Sequence, residues 1–229
     1  MRALPPNTFF TADVKLNKLR RRQLGNPYSL PSIRIYEDAI LEHGVLSLIT
    51  LWDKKIAASQ NEKKALVNFY YGFHGMMFDI IGVLGFGKSF DIVATGSTKL
   101  TESVANTLKL SVIRAGVPFG SHLLWLFRNR ASGLRYVLTS AAEMVKKRKQ
   151  ENSDAANANG EDRKRHFDIL QRLIDARDPV TGASIDDKSL VAEIFLLLVG
   201  GTDTTSSTLG SILPLPDTCL VTFLSKVRI

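Results

Sequence analysis

Apolar residues recur at helical spacing along much of the chain, and the longest such pattern spans residues 190–213. It predicts a helix of about 25 residues, or roughly 40 Å at 1.5 Å rise per residue. Ser184 followed by Asp187 has the form of a capping box, and Asp186 could equally cap or charge the first turn. Pro214 ends the pattern, so the predicted helix is long enough to cross a whole domain.

Four other segments show the same periodicity and are predicted to be helices: residues 33–55, 69–84, 100–110 and 134–150. Residues 151–162, ENSDAANANGED, are polar and nonperiodic, which predicts a surface loop between helices. The predicted fold class is therefore mainly α. A chain of 229 residues with 45% hydrophobic residues also has the size and composition of one globular domain.

The middle of the long helix carries residues that weaken a helix. Gly200 and Gly201 each cost about 1 kcal/mol relative to alanine, and a run of Thr and Ser follows them. Thr204 lies one turn after Gly200 on the same face, so its hydroxyl can bond back to the Gly200 carbonyl. That bond would open a polar notch beside Asp203, where a flat, bulky group could approach the helix backbone.

These residues resemble a known family signature. Gly200-Gly201-Thr202-Asp203-Thr204-Thr205 is similar to the (Ala/Gly)-Gly-x-(Asp/Glu)-Thr-(Thr/Ser) motif of the cytochrome P-450 superfamily, which are haem-thiolate monooxygenases. Residues 167–205 resemble the approach to that motif in fungal members, residues 68–90 the segment after their fourth helix, and residues 15–37 their basic third helix. The resemblance covers residues 10–213. It implies a partial P-450 domain over residues 1–213, running from about the third helix through the long central oxygen-binding helix, and an unmatched tail over residues 214–229.

The resemblance also implies a reaction and its participants. Haem is the expected cofactor, and one atom of O2 is inserted into a C–H bond of an apolar small-molecule substrate with electrons from a P-450 reductase. Asp203 and Thr204 are the expected catalytic pair, in which a proton relay needs the acid and the alcohol side by side. Gly200 and Gly201 are expected to make room for the porphyrin and oxygen.

The basic third helix supplies the expected haem-propionate partner. Arg21 is the best positional match, with Arg22 next, because a guanidinium meets a carboxylate with two parallel hydrogen bonds and keeps its charge when partly buried. The family's usual aromatic residue or His one turn earlier falls near Asn17, which departs from the pattern.

The iron ligand of the family is not recognisable. The single cysteine, Cys219, lies in LPDTCLVTF, which does not resemble the family's Phe-x-x-Gly-x-Arg-x-Cys-x-Gly loop, and no Glu-x-x-Arg pair follows the long helix. We therefore assign no metal ligand and expect this chain to be inactive as it stands. Complete family members are usually anchored in the endoplasmic reticulum, but no anchor helix or signal peptide is recognisable here, so no location is assigned.

Two alternatives to a P-450 fragment remain open. Residues 82–89, GVLGFGKS, satisfy the G-x-x-x-x-G-K-[ST] pattern of a phosphate-binding loop, in which Lys88 would reach phosphates and Ser89 would ligate magnesium. The other alternative is a noncatalytic product that acts only through exposed apolar faces.

Composition excludes two further classes of function. The net charge of +8 suggests nucleic acid, but the basic clusters at residues 18–22 and 146–149 are far apart and carry no interleaved aromatic residues. Residues 146–149 are predicted to be a solvated helix face, whereas for residues 18–22 the family resemblance implies the haem-propionate partner described above. The four histidines, at positions 43, 74, 122 and 166, show no metal-binding spacing and are predicted to be ordinary surface or core residues.

Overall fold

The computed structural model describes residues 7–9, 11–24, 34–59, 65–97, 99–116, 131–157 and 168–212. Within these ranges the fold is mainly α, as predicted. The helices are α1 (Val14–Leu24), α2 (Glu37–Ile40), a π-helix (Leu41–Leu46), α3 (Ser47–Ala57), α4 (Phe69–Phe86), α5 (Ile92–Thr95), α6 (Lys99–Gly116), α7 (Ala131–Asn157), α8 (Ile169–Asp175) and α9 (Asp187–Ile212).

Helix α9 lies at the centre of the fold, packed against α4 and α7, with further contacts to α6 and α8. Its apolar residues before the glycine pair are buried or half-buried, whereas several residues after the pair are exposed. The main hydrophobic core is formed between these helices, and its most deeply buried members are Phe78, Val104, Val137, Ala141, Leu170, Leu190, Ile194 and Leu198. The first half of α9 is thus held by packing on several sides, and its second half leaves the core.

The start of α9 is set by Asp186. Its carboxylate accepts a hydrogen bond from the Ser189 backbone N–H at 3.0 Å, which is the N-cap geometry. Burial would raise the pKa of Asp186, but hydrogen bonds from Ser189 and Arg20 outweigh it and lower the pKa from 3.8 to about 2. Ser184 pairs instead with Arg177 in an isolated antiparallel bridge. Of the two capping arrangements that the sequence allows, the structure has the one centred on Asp186.

The predicted loop at residues 151–162 is wrong for its first part, because α7 continues to Asn157. Polar side chains stabilise this extension: Gln150 bonds to Asp154 one turn on, and Asn152 donates to Gln171 of α8 at 3.1 Å. The helix therefore continues through this polar segment, because the polar side chains find hydrogen-bond partners on α7 itself and on α8. Residues 158–162 lie outside the described ranges.

The prediction of a solvated basic face at residues 146–149 is also wrong for one residue. Arg148 is 5% exposed, and it donates to Asp168 at 2.8 Å and to the Phe86 carbonyl at 3.1 Å. Asp168 in turn caps α8 by accepting from the Gln171 backbone N–H at 2.9 Å. One buried guanidinium thus ties α7 to the end of α4 and the start of α8.

The phosphate-loop alternative is not supported by the geometry of α4. Residues 82–86 are the last turns of this helix, so their backbone amides belong to helical hydrogen bonds and are not free to hold phosphates. Gly87 has φ of 72° and ends the helix, with Gly87 N–H bonded to Val83 and Lys88 N–H to Gly82. Ser89 accepts a hydrogen bond from Asp91 N–H at 2.9 Å. The motif is therefore a helix C-cap.

This geometry predicts that Lys88 makes no contribution to nucleotide affinity. Lys88 is exposed at the end of α4, without a cradle of free amides beside it. A fluorescent ATP analogue with magnesium should bind no better to the unaltered chain than to its Lys88→Ala variant, as measured by anisotropy. Micromolar binding that disappears on substitution would contradict this assignment.

Helix α9 is the longest apolar helix, but none of the helices formed by the described residues is long and apolar enough to span a membrane.

Candidate functional site

The predicted notch between Gly200 and Thr204 is present. The Thr204 hydroxyl donates to the Gly200 carbonyl at 2.6 Å, which confirms the predicted back-bond. Thr204 is exposed, and among the described residues a Cβ built at Gly200 would meet only Leu196 Cδ1, at 3.8 Å. One face of α9 is therefore polar at Thr204 and open at Gly200.

Gly201 faces a different side of α9. A Cβ at this position would lie 2.6 Å from Ile81 Cδ1, so the missing side chain lets α9 approach α4. Gly200 and Gly201 are thus in different surroundings, one beside open space and one at a helix contact. The contribution of Gly201 to a haem pocket stays a prediction. In the structure, Gly201 contacts Ile81 where α9 packs on α4.

Hydroxyl groups bond back to the helix along the second half of α9. Besides Thr204, the residues that do so over four positions are Thr202, Thr208 and Ser211, at 2.6, 2.9 and 2.9 Å. Each such bond gives a carbonyl a second donor and favours local bending of the helix. The Thr and Ser residues therefore favour bending along the whole second half of α9.

Asp203 turns towards α4. Its Oδ1 atom lies 3.7 Å from Nε2 of His74, and its side chain is 32% exposed. Burial lowers the pKa of His74, against the opposing effect of the Asp203 charge. Burial also raises the pKa of Tyr70, as do the charge of Asp203 and a hydrogen bond with it. The acid of the predicted catalytic pair thus has two partners on the neighbouring helix.

The structure does not bring Arg21 and Arg22 to the notch. Their helix, α1, docks on the first turn of α9 through Arg20, which contacts Asp186 and Ser189. Ser189 precedes Gly200 by about 11 residues, or roughly 16 Å of helix. The guanidinium of Arg22 holds the buried Asp178 with two hydrogen bonds, at 3.0 and 3.2 Å. Arg21 is exposed and donates from Nε to Asn17 at 3.0 Å.

Sequence reasoning missed the burial of two charged residues, Arg20 of α1 and Glu193 of α9 itself. Arg20 is 5% exposed and donates to Gln23 at 3.0 Å, so this residue of the basic cluster at 18–22 is buried in the protein. Glu193 is 6% exposed and accepts from the backbone and hydroxyl of Thr8 at 2.7 and 2.8 Å. The spacing of Arg20 and Gln23 was the available signal, since residues three apart share a helix face.

The described residues contain no group of three or more His, Cys, Asp or Glu side chains that could hold a metal ion. Cys219 and the histidines at 122 and 166 lie outside the described ranges, as does the predicted tail at residues 214–229.

The environments of the glycines predict opposite effects of alanine at two positions. Gly200→Ala should raise the free energy of unfolding by up to about 1 kcal/mol, because it adds helix propensity and meets no close neighbour. Gly82→Ala should lower it by about 1–3 kcal/mol, because its Cβ would lie 2.7 Å from the Lys88 carbonyl oxygen, a backbone atom. Urea unfolding of both variants measures the difference, and equal effects would contradict the contacts described.

Known proteins resemble this chain in both sequence and fold. Cytochrome P450 monooxygenase helB3 of Aspergillus fumigatus is 30% identical over 207 residues, which cover 90% of this chain and 39% of that protein. Cytochrome P450 monooxygenase FUS8 of Gibberella moniliformis is 25% identical over 205 residues, covering 88% of this chain and 36% of that protein. The chain thus spans under two fifths of the length of these relatives.

A solved structure has the same arrangement of helices. The crystal structure of cytochrome P450DA heme domain superposes with a TM-score of 0.67 at 18% identity, covering 89% of this chain and 40% of that one. This likeness confirms a partial P450 fold. The sequence model described as Cytochrome P450 matches residues 6–215. Because that match takes in most of the sequence, including every helix described above, the chain belongs to the cytochrome P450 family.

Proposed function

We propose that this chain is the oxygen-side part of a haem-dependent monooxygenase that inserts one atom of O2 into an apolar organic substrate. The observation that carries the proposal is the open polar face of α9, where the Thr204 hydroxyl bonds to the Gly200 carbonyl at 2.6 Å beside Asp203. A helix that only packs would not need a glycine facing open space and an exposed hydroxyl one turn later.

The residues on this face fit a haem. Within the part of the chain that the structure describes, the nearest atom to a Cβ at Gly200 would be Leu196 Cδ1, at 3.8 Å, which leaves room for a flat macrocycle to approach the backbone. When bound, the haem supplies dioxygen binding and electron transfer to it. Arg21 stays a propionate partner by family resemblance alone, because α1 docks on the first turn of α9, away from Gly200, and Arg22 is already paired with Asp178.

Asp203 and Thr204 would move and hold protons on this face. Asp203 is partly exposed, so its carboxylate can take a proton from water and return it on the side of Thr204. The Thr204 hydroxyl is fixed by its bond to Gly200, which gives a water molecule or ligand atom a defined point of attachment. Gly201 would act indirectly, by fixing how α9 lies on α4.

Substrate and electron donor follow from the family alone, as an apolar small molecule and a P-450 reductase. The iron ligand would come from a cysteine loop that this chain does not recognisably contain, since its one cysteine, Cys219, lies in an unrelated context. We therefore propose that the 229-residue chain is inactive alone and acts within a protein of the length of its relatives.

The carbon monoxide difference spectrum of the reduced protein tests this proposal. A form extended through a cysteine loop should give the band of a thiolate-bound haem, and the 229-residue chain should not. A full-strength band from the 229-residue chain would refute the assignment of Cys219 as a non-ligand. Failure of a folded extended form to take up haem would refute the proposed function.

A further inference from the structure

The Asp203 carboxylate lies beside His74 of α4, and His74 also lines a cavity. We propose that His74 is a proton-relay residue that links this cavity to Asp203, with Tyr70 as the residue that positions its ring. This inference rests on the proposed function, because the proton that Asp203 receives is the one used at the open face of α9.

The Nε2 atom of His74 is buried and faces the carboxylate of Asp203. His74 is 3% exposed, and its Nε2 atom makes no hydrogen bond within the described residues. A buried polar atom without a partner is unfavourable, because it has given up its hydrogen bonds to water, so the arrangement needs a reason. Asp203 Oδ1 lies 3.7 Å away, and a movement of under about 1 Å would bring the pair to hydrogen-bond distance.

The ring of His74 is held on both sides by aromatic residues. Tyr70 stacks on it with centroids 5.4 Å apart and an interplanar angle of 18°. Phe78 meets it edge to face at 5.2 Å and 66°. These contacts restrict rotation of the ring, so that the direction from Nε2 to Asp203 is maintained. Tyr70 also shares Asp203 as a hydrogen-bond partner.

His74 also lines a cavity of about 290 Å³ between α3, α4 and α5. A cavity needs roughly 10–15 Å³ to hold one water molecule, so this one has room for several. Its polar lining residues are Lys55, Asn68, Tyr71, Ser97 and Thr101. Water held there has a hydrogen-bonding surface, and the buried imidazole lies between that water and Asp203.

The relay balances as a transfer of one proton. Nδ1 of His74 takes a proton from protonated cavity water, which becomes neutral water, and Nε2 gives its proton to the ionised Oδ1 of Asp203. The imidazole is left neutral and resets by exchanging its tautomer. The charged and titratable groups facing His74 are Tyr70 and Tyr71 on its own helix, Asp203 on α9 and Lys55 on α3. Asp203 is the only carboxylate among them.

The pairing can be measured in the 229-residue chain without haem. The His74 ring signals are followed by NMR against pH and assigned by their loss in His74→Gln. Asp203→Asn should lower the pKa of His74, because the carboxylate that favours the imidazolium is removed. Asp154→Asn removes the same charge from α7, where its partner is Gln150, and should leave the His74 titration unchanged. An unaltered His74 pKa in folded Asp203→Asn would overturn the proposal.

The relay itself is tested in the haem-loaded extended protein. His74→Gln should slow product formation about 10²-fold and remove one ionisation from its pH profile, while haem uptake and the carbon monoxide spectrum stay unchanged. His43→Gln, an exposed histidine on the π-helix, is the control and should have no effect. An unchanged rate and pH profile in His74→Gln would refute the relay alone. Absence of turnover in the unaltered protein would refute the proposed function and leave the NMR result to judge the pairing.

Discussion

In the haem-loaded extended protein, Thr204→Ala is expected to reduce product formation about 10²- to 10⁴-fold while reductant consumption continues. The hydroxyl that marks the open face beside Gly200 is lost, and oxygen should then leave as peroxide before it is transferred. The helix itself should tolerate the change, because alanine has a higher helix propensity than threonine and Thr204 is exposed. Peroxide and product are measured together, with haem content as the reference.

Asp203→Asn separates the acid from the alcohol. The amide keeps the shape of the side chain but cannot pass on a proton, so turnover should slow without the peroxide leakage of Thr204→Ala. Thr205→Ala provides a matched control, since Thr205 is also exposed and lies next to the pair. Fully coupled turnover in Thr204→Ala would contradict the catalytic role of Thr204 and leave residues 200–205 with a role in helix packing only.

Arg148→Met is expected to lower the free energy of unfolding by about 3–5 kcal/mol. The side chains of Arg148 and Asp168 are 6% and 3% exposed, and removal of the guanidinium would leave a carboxylate buried without its cation. The Phe86 carbonyl would lose a donor as well. Urea unfolding monitored by circular dichroism measures the loss.

Lys147→Met is the control on the same helix. Lys147 is 69% exposed, and its Nζ atom lies 4.0 Å from Oε1 of Glu151. An exposed ion pair of this kind contributes at most about 1 kcal/mol to the free energy of unfolding. The two variants lose the same charge and gain the same side chain, so a difference between their free energies of unfolding reports the burial of Arg148. Equal losses would contradict the role given to Arg148.

The central helix was predictable because its signals are local. Apolar spacing and the flanking acids and prolines placed it at residues 190–213, against Asp187–Ile212 in the structure. The bond between Thr204 and Gly200 was predictable for the same reason, since both atoms belong to one turn of one helix. Residues close in sequence have a geometry that helix parameters alone define.

The buried charges were not predictable in this way. Within the run of cations at residues 146–149, one side chain is buried because Asp168 lies 20 positions further on. Arg20 meets Asp186 across 166 positions. The sequence of a run of cations does not indicate which of them is buried. Burial depends on the partners that each helix face meets, and those partners are set by the tertiary fold. The contact of Asp203 with His74 belongs to the same class.

The back-bond of Thr204 also determines what the open face can recognise. A hydroxyl has one hydrogen, and that hydrogen is directed to the Gly200 carbonyl at 2.6 Å, so only lone pairs point outwards. A bound molecule that presents a bare acceptor there meets electrostatic repulsion, whereas one that presents a hydrogen gains a bond. Under the proposed function, we therefore expect Thr204 to favour the protonated over the unprotonated form of a molecule bound at the open face, although its own side chain does not titrate.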